Sequence, residues 1–211
     1  MTEQISFTED ELDILTEVSN IGMGKAGCSL AEALGCFVTL TVPEIRVIES
    51  SKLHELSHEL TEKFEEINLV RQAFSGNLNG EAIVILGKTA YVIKDLLGYG
   101  EAEVLTRPKQ MELLSDISNS ITSACLQEMA KQLSLELSLS PPQLVCFEQP
   151  AKMFYRLLFG NSKLKWEQSL LVRVQFHLKD RGFGSDMFVF FSQNSLGRIK
   201  QSVRTLMEGS C

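Results

Sequence analysis

The sequence predicts an α/β (α+β) fold in which the whole chain, residues 1–211, forms one domain. A long helix, two short strands, a short helix, a hairpin and a helix follow one another over about residues 8–98 and again over 108–208. Such a repeated order indicates an internal duplication. We therefore expect two pseudo-symmetric α-β-β-α-β-β repeats that share one mostly antiparallel sheet, with the long helices packed on it. A composition of 44% hydrophobic and 22% charged residues is ordinary for such a domain.

The first long helix is predicted over residues 8–34. Thr8 is a candidate N-cap with Glu11 three residues later, which is the spacing of a capping box, and Gly35 provides a stop. Three glycines inside the helix each cost about 1 kcal/mol of helix propensity relative to alanine. We expect their missing side chains to allow the close approach of the sheet or of a partner protein; they are Gly22, Gly24 and Gly27.

The other elements follow from hydrophobic periodicity and from turn residues. In the first half they are strands over 36–41 and 44–49, a short helix over 50–60, hairpin strands over 66–74 and 81–86, and a helix over 89–97. In the second half they are a long helix over 108–132, strands over 135–139 and 143–148, a short helix over 151–159, strands over 169–178 and 187–192, and a helix over 194–207.

A polar pattern at helical spacing marks the first long helix. Asp13, Glu17 and Asn20 lie at i, i+4 and i+7, so they share one face. Pro43 follows Asn20 after 22 intervening residues. A glutamate and an asparagine three residues apart are, on their own, typical of a solvated helix face.

The second long helix repeats this pattern in register. Glu112, Asp116 and Asn119 have the same spacing, and Pro141 follows Asn119 after 21 residues. Because the full pattern is found in both halves, it indicates a functional site. The second copy is either a second active site or a structural remnant of the duplication that has lost activity.

The two patterns resemble the signature of the CheC–CheX–FliY phosphatases of bacterial chemotaxis, which dephosphorylate the response regulator CheY. That signature is Asp or Ser, three residues, Glu, two residues, Asn, and Pro after 21 or 22 residues. The first pattern matches it fully, and residues 20–26 are similar to the family's N-I-G-x-G-x-A. In the second pattern Glu112 replaces Asp or Ser, and Asp116 replaces the glutamate. The resemblance covers essentially the whole chain, and two motifs indicate the CheC branch. No further module follows the second half, so we expect the flagellar-motor part of FliY to be absent.

The resemblance implies hydrolysis of the aspartyl phosphate on a CheY-like response regulator. The regulator itself holds Mg²⁺ and a lysine near its phosphate, so this chain is expected to need no cofactor or metal of its own. Asn20 would orient the attacking water, because a carboxamide both donates and accepts hydrogen bonds. Glu17 would pair with the regulator's lysine, and Asp116 and Asn119 would repeat these roles.

Two other functions remain open at this point. A binding module would dock a response regulator, or the receptor deamidase CheD that CheC proteins bind, with little hydrolysis. A zinc peptidase is suggested by H-E-x-x-H at residues 54–58. The flanks are strongly charged and His177, the one further histidine, is distant in sequence, which favours a solvated surface helix with little apolar stripe to bury.

The bulk properties exclude several classes of protein. A net charge of −7 argues against a nucleic-acid backbone as the main partner. No apolar run approaches the roughly 20 residues of a membrane span, and the acidic N-terminus lacks a signal-peptide core. Five cysteines without paired spacing predict buried, reduced thiols and a cytoplasmic protein.

Overall fold

The structure is a computed structural model, and it describes residues 5–35, 37–49, 52–87, 105–160, 168–178 and 183–209. The helices in these ranges are α1 (Glu9–Leu34), α2 (Leu53–Lys63), α3 (Arg107–Gln132), α4 (Phe154–Phe159, preceded by a 3₁₀ turn at Ala151–Met153) and α5 (Gln193–Gly209). The strands are β1 (Val38–Leu40), β2 (Glu44–Glu49), β3 (Glu66–Gly76), β4 (Gly80–Leu86), β5 (Leu137–Leu139), β6 (Gln143–Pro150), β7 (Gln168–Leu178) and β8 (Phe183–Phe191).

All these strands belong to one sheet whose order is β1-β7-β8-β4-β3-β5, with β2 also paired to β7 and β6 also paired to β3. Each of these pairings is antiparallel. Exchanging β1–β4 for β5–β8 gives the same order read backwards, so the topology has an approximate two-fold symmetry. The predicted α/β class with one antiparallel sheet is confirmed. The duplication remains our interpretation, which this symmetry supports.

Most predicted elements are found within a few residues of their expected ends. The capping box of α1 is present: the Thr8 hydroxyl accepts from the Glu11 N–H at 3.2 Å, and the Glu11 carboxylate accepts from the Thr8 N–H at 2.9 Å. Gly35 ends α1 in the left-handed conformation at φ 60°. The strand predicted over 187–192 is longer, because it pairs along its whole length with β7. The helix predicted over 89–97 lies outside the described residues.

Glu11 also ties α1 to α5. Its carboxylate is buried and lies 2.7 Å from Nε of Arg204 and 3.4 Å from Nζ of Lys200. Burial alone would raise the pKa of this carboxyl group. The hydrogen bond from Thr8 and the charges of Arg204 and Lys200 outweigh burial and hold the pKa below its ordinary value.

The helices α1, α3 and α5 cover one face of the sheet, and their apolar residues form the larger core. Gly27 allows the expected close approach of the sheet, whereas Gly22 allows the close approach of α3, which was not predicted. A Cβ atom on Gly22 would lie 2.7 Å from Cγ of Met129 in α3, and one on Gly27 would lie 2.8 Å from Cδ1 of Leu40 in β1. A Cβ atom on Gly24 would meet nothing within 4 Å, so Gly24 has no packing role of this kind.

The helices α2 and α4 cover the opposite face with a second, smaller core. The expectation that α2 has little apolar surface to bury was wrong. Leu56 and Leu60 are spaced one turn apart and are 2% and 0% exposed, so they form the buried stripe of an otherwise charged helix.

A buried network of charges, which we call the Asp186 network, lies beside this second core. Asp186 on β8 is fully buried and accepts hydrogen bonds from Nζ of Lys63 at 2.7 Å and from Nε2 of Gln175 at 2.9 Å. Nε of Arg173 lies 3.5 Å from Oδ1 of Asp186, the oxygen that Gln175 also contacts, and Arg173 also pairs with Glu59 of α2. The network therefore links the end of α2 to β7 and β8.

Three cysteines fall in the described residues, and all are free thiols. Burial raises the pKa of the Cys125 thiol far above its usual range and that of Cys146 to about 11. Cys28 is exposed, because it lies on the outer face of α1, so the prediction of buried thiols fails there. Among the described helices, none is both long and apolar enough to cross a membrane.

Candidate functional site

The first motif lies on the outer face of α1. Asp13 and Glu17 are exposed, and Asn20 is half-buried. The opposite face is buried; its residues include Leu15, Ser19, Gly22, Ala26 and Leu30. Because that buried stripe fixes the rotation of the helix, the carboxylate and the carboxamide project outward together.

The second motif lies on α3 in the same way. Glu112 and Asp116 are exposed, and Asn119 is half-buried. Glu112 pairs with Nζ of Lys109 at 3.0 Å. The carboxylate of Asp116, like that of Glu17, has no hydrogen-bond or ion-pair partner in the described part of the chain, so both acids are available to an external cation.

The two asparagines differ in their surroundings. Oδ1 of Asn119 accepts a hydrogen bond from Nε2 of Gln72 at 2.8 Å and one from Oγ of Ser123 at 3.4 Å. For Asn20, no side-chain hydrogen bond is found within the described ranges. The sequence analysis missed Gln72, although a signal existed: it interrupts the apolar alternation of Val70 and Phe74 on β3.

The prolines of the signature end short edge strands. Pro43 follows β1 and is buried, whereas Pro141 follows β5 and is exposed. Just before each proline the short strand makes its own last bond to the sheet, from Thr41 N to Gln175 O at 3.1 Å and from Ser140 N to Ala73 O at 2.9 Å. Pairing resumes after the proline with β2 and β6. Proline has no N–H and cannot extend the ladder, so its position explains where each edge strand stops.

The two motifs form separate sites. Gly22, two residues after Asn20, packs on Met129, which lies ten residues after Asn119 on α3. At 1.5 Å per residue, Asn119 lies about 15 Å from this contact along α3, whereas Asn20 lies only about 3 Å from it along α1. Between them α1 and α3 form a shallow polar groove; its lining includes Lys25, Ser29, Glu32, Ser120, Gln127 and Glu128.

The H-E-x-x-H segment lies on α2. Glu55 and His58 are exposed on α2. In the described ranges, no group of three or more His, Cys, Asp or Glu side chains could hold a metal ion. The side chain of His54 lies outside the described residues.

No family model matches the chain. In sequence it is similar to the flagellar motor switch phosphatase FliY of Bacillus subtilis (strain 168), with 24% identity over 175 residues. The match covers 82% of this chain and 43% of that protein, so the chain spans less than half the length of the curated relative it matches.

Solved structures share the fold. FliY of Thermotoga maritima has a TM-score of 0.66 at 18% identity, with 95% of this chain and 99% of that chain covered. A CheC-like superfamily protein from Shewanella sp. PV-4 has 0.54 at 10% identity, covering 88% and 99%. A chain of the FliG–FliM complex from H. pylori has 0.58 at 10% identity, covering 92% and 100%. The chain is thus similar in sequence to FliY and shares the fold of FliY, CheC-like and FliM structures.

Proposed function

We propose that this chain is a phosphatase that hydrolyses the aspartyl phosphate of a CheY-like response regulator. The observation that carries the proposal is the pair of outward faces on α1 and α3, each with a free carboxylate three residues before a half-buried asparagine. The relationship to FliY, a phosphatase in Bacillus subtilis, supports the same function.

In the proposed chemistry, the main role of this chain is to position the attacking water. Hydrolysis of an acyl phosphate needs an in-line water and neutralisation of charge. The regulator supplies its own Mg²⁺ and lysine. The Asn20 carboxamide orients the water, and the Glu17 carboxylate pairs with the regulator's lysine. A helix packed on both α3 and the sheet holds these two groups rigidly, which is what a positioning site requires.

Phosphate release from a phosphorylated CheY-like regulator tests the proposal. The parent protein should shorten the lifetime of the phosphorylated regulator, and the variant Asn20→Ala/Asn119→Ala should not. Water positioning acts in the transition state, so Asn20→Ala should lower kcat more than it weakens binding. Gln201→Ala is a matched control, because Gln201 is an exposed carboxamide on α5, a helix that carries neither motif. If the double variant keeps the parent's rate, the proposed mechanism is wrong.

The second candidate function is a binding module without hydrolysis. Its specific support is the fold shared with FliM, which forms a complex with FliG in H. pylori. A protein of this kind would dock a response regulator, or a CheD deamidase, through the same helix faces. Calorimetric binding to the regulator without any change in the lifetime of its phosphate would favour this function over the phosphatase.

A further inference from the structure

A buried glutamine connects the sheet to the second motif. Gln72 is 3% exposed on β3, on the face covered by α3. Its Nε2 group donates one hydrogen bond to Oδ1 of Asn119 at 2.8 Å and another to the carbonyl oxygen of Ser140 at 2.7 Å. Ser140 directly follows β5, so Gln72 contacts an edge of the sheet as well as the asparagine of the motif.

This arrangement fixes the orientation of the Asn119 carboxamide. A backbone carbonyl can only accept a hydrogen bond, so the group that Gln72 turns toward Ser140 must be its NH₂. That same NH₂ faces Asn119, and the atom of Asn119 that meets it must therefore be the acceptor Oδ1. The hydroxyl of Ser123 donates to the same oxygen at 3.4 Å. The Nδ2 amino group is left as the free end of the carboxamide.

The fold itself does not require a glutamine at this position. Under the approximate two-fold symmetry, the bond from Ser140 N to Ala73 O is equivalent to the bond from Thr41 N to Gln175 O. Ala73 on β3 therefore corresponds to Gln175 on β7, and the preceding residue Gln72 corresponds to Val174. Val174 is fully buried in the larger core, which shows that this site in the fold accepts an apolar side chain.

Gln72 also reduces the stability of the fold. Its Oε1 atom is buried and has no hydrogen-bond partner among the described residues. An unpaired buried polar atom reduces the stability of the folded protein. A side chain that the fold does not need, and that reduces stability, indicates a role at Asn119.

We propose that Gln72 is the positioning residue of the second site. It holds Asn119 with Oδ1 inward, so that Nδ2 donates to the attacking water or to a phosphoryl oxygen of the partner. This inference rests on the proposed phosphatase function. It also makes the two sites chemically different, because the Asn20 carboxamide has no such partner within the described ranges.

A kinetic test isolates each site in turn. In the Asn20→Ala background, where hydrolysis depends on Asn119, Gln72→Val should lower kcat about tenfold and leave KM within about twofold. Gln72→Glu has nearly the same shape but presents acceptors to Asn119, so it should turn the carboxamide round and lower kcat as well. In the Asn119→Ala background, Gln72→Val should leave the rate unchanged.

Three kinetic results would overturn the proposal. One is an unchanged kcat of the second site in Gln72→Val. Another is an equal loss at both sites, since a merely structural role would affect them alike. The third is the absence of phosphate release by the Asn20→Ala variant when the parent protein is active. The second site would then be inactive, and Gln72 could not be positioning a working Asn119.

Amide exchange in the ¹⁵N-labelled protein gives a readout that does not depend on activity. The side-chain amide protons of Gln72 should exchange slowly with solvent, and Asn119→Ala should accelerate that exchange, because one acceptor is lost. Exchange as fast as that of the exposed Gln201 amide would refute the orientation. If the exchange is slow but the parent protein releases no phosphate, the proposed function fails and the orientation stands.

Discussion

Replacing Gly22 and Gly24 separately by alanine should change the stability of the protein in opposite directions. Both lie inside α1, where alanine is favoured over glycine by about 1 kcal/mol through helix propensity. At Gly24 a Cβ atom would meet nothing within 4 Å. We therefore expect Gly24→Ala to raise the free energy of unfolding by about 1 kcal/mol.

Gly22 lies in the contact between α1 and α3, and the added methyl group has no room there. Its Cβ would lie 2.7 Å from Cγ of Met129 and 2.9 Å from the carbonyl oxygen of Cys125. The methionine side chain can move, but the carbonyl oxygen moves only with α3. Overpacking costs about 1–3 kcal/mol, and helix propensity offsets about 1 kcal/mol of it. The two variants should therefore differ in stability by about 1–3 kcal/mol.

Urea unfolding followed by circular dichroism measures this difference, provided that the slope with denaturant is the same for both variants. The two substitutions are chemically identical and two residues apart, so each serves as the control for the other. If Gly22→Ala unfolds at the same urea concentration as Gly24→Ala, or at a higher one, then α3 does not pack so closely on Gly22 that an added methyl group is excluded.

Three further predictions concern activity, stability and pH. Asn20→Ala should lower the rate of phosphate release at least as much as Asn119→Ala does, because Asp116 of the second motif is one methylene shorter than a glutamate. Asp116→Glu should raise the rate in the Asn20→Ala background. A larger loss of rate from Asn119→Ala would reverse this ranking of the two sites. Asp186→Ala should lower the free energy of unfolding by about 1–3 kcal/mol, because it removes the fully buried acid that pairs with the partly buried Lys63 and with Arg173, which keeps Glu59 as a second partner; an unchanged urea midpoint would contradict this. Glu11 has a lowered pKa in the folded protein, so its contribution to stability is present at neutral pH and is lost as the pH falls below about 4.3. The stability difference between the parent and Glu11→Gln should shrink over that range, and a constant difference from pH 7 to pH 3 would disprove the assignment.

Local chemistry made much of the fold predictable from the sequence. The ends of α1 follow from the capping box of Thr8 and Glu11 and from Gly35, all within a turn of the helix end. The hairpin of β3 and β4 follows from alternation on both sides of a Gly- and Asn-rich turn. The exposed faces of the motifs follow from the stripe of apolar and small residues on the opposite side of each helix.

Contacts between distant residues could not be predicted in this way. Lys63 meets Asp186 across 123 positions, and Gln72 meets Asn119 across 47, so both depend on how a helix packs on a strand, which periodicity does not specify. In the sequence, Asp186 is an isolated acid before an apolar run, and Gln72 is a break in an alternation. Only the packing of α2 and α3 on the sheet brings these partners together.

The order of the strands also determines when the sheet can form. The strands β1 and β2 pair with β7, so Val38 can pair only after Leu178 has been synthesised, 140 positions further along the chain. During synthesis the apolar faces of α1 and of the first hairpin have no second half to cover them, because α3 and β8 come later in the sequence. Contacts of such long range slow folding. A nascent first half is therefore a natural client for chaperones, and neither half alone contains the neighbours that its own edge strands need.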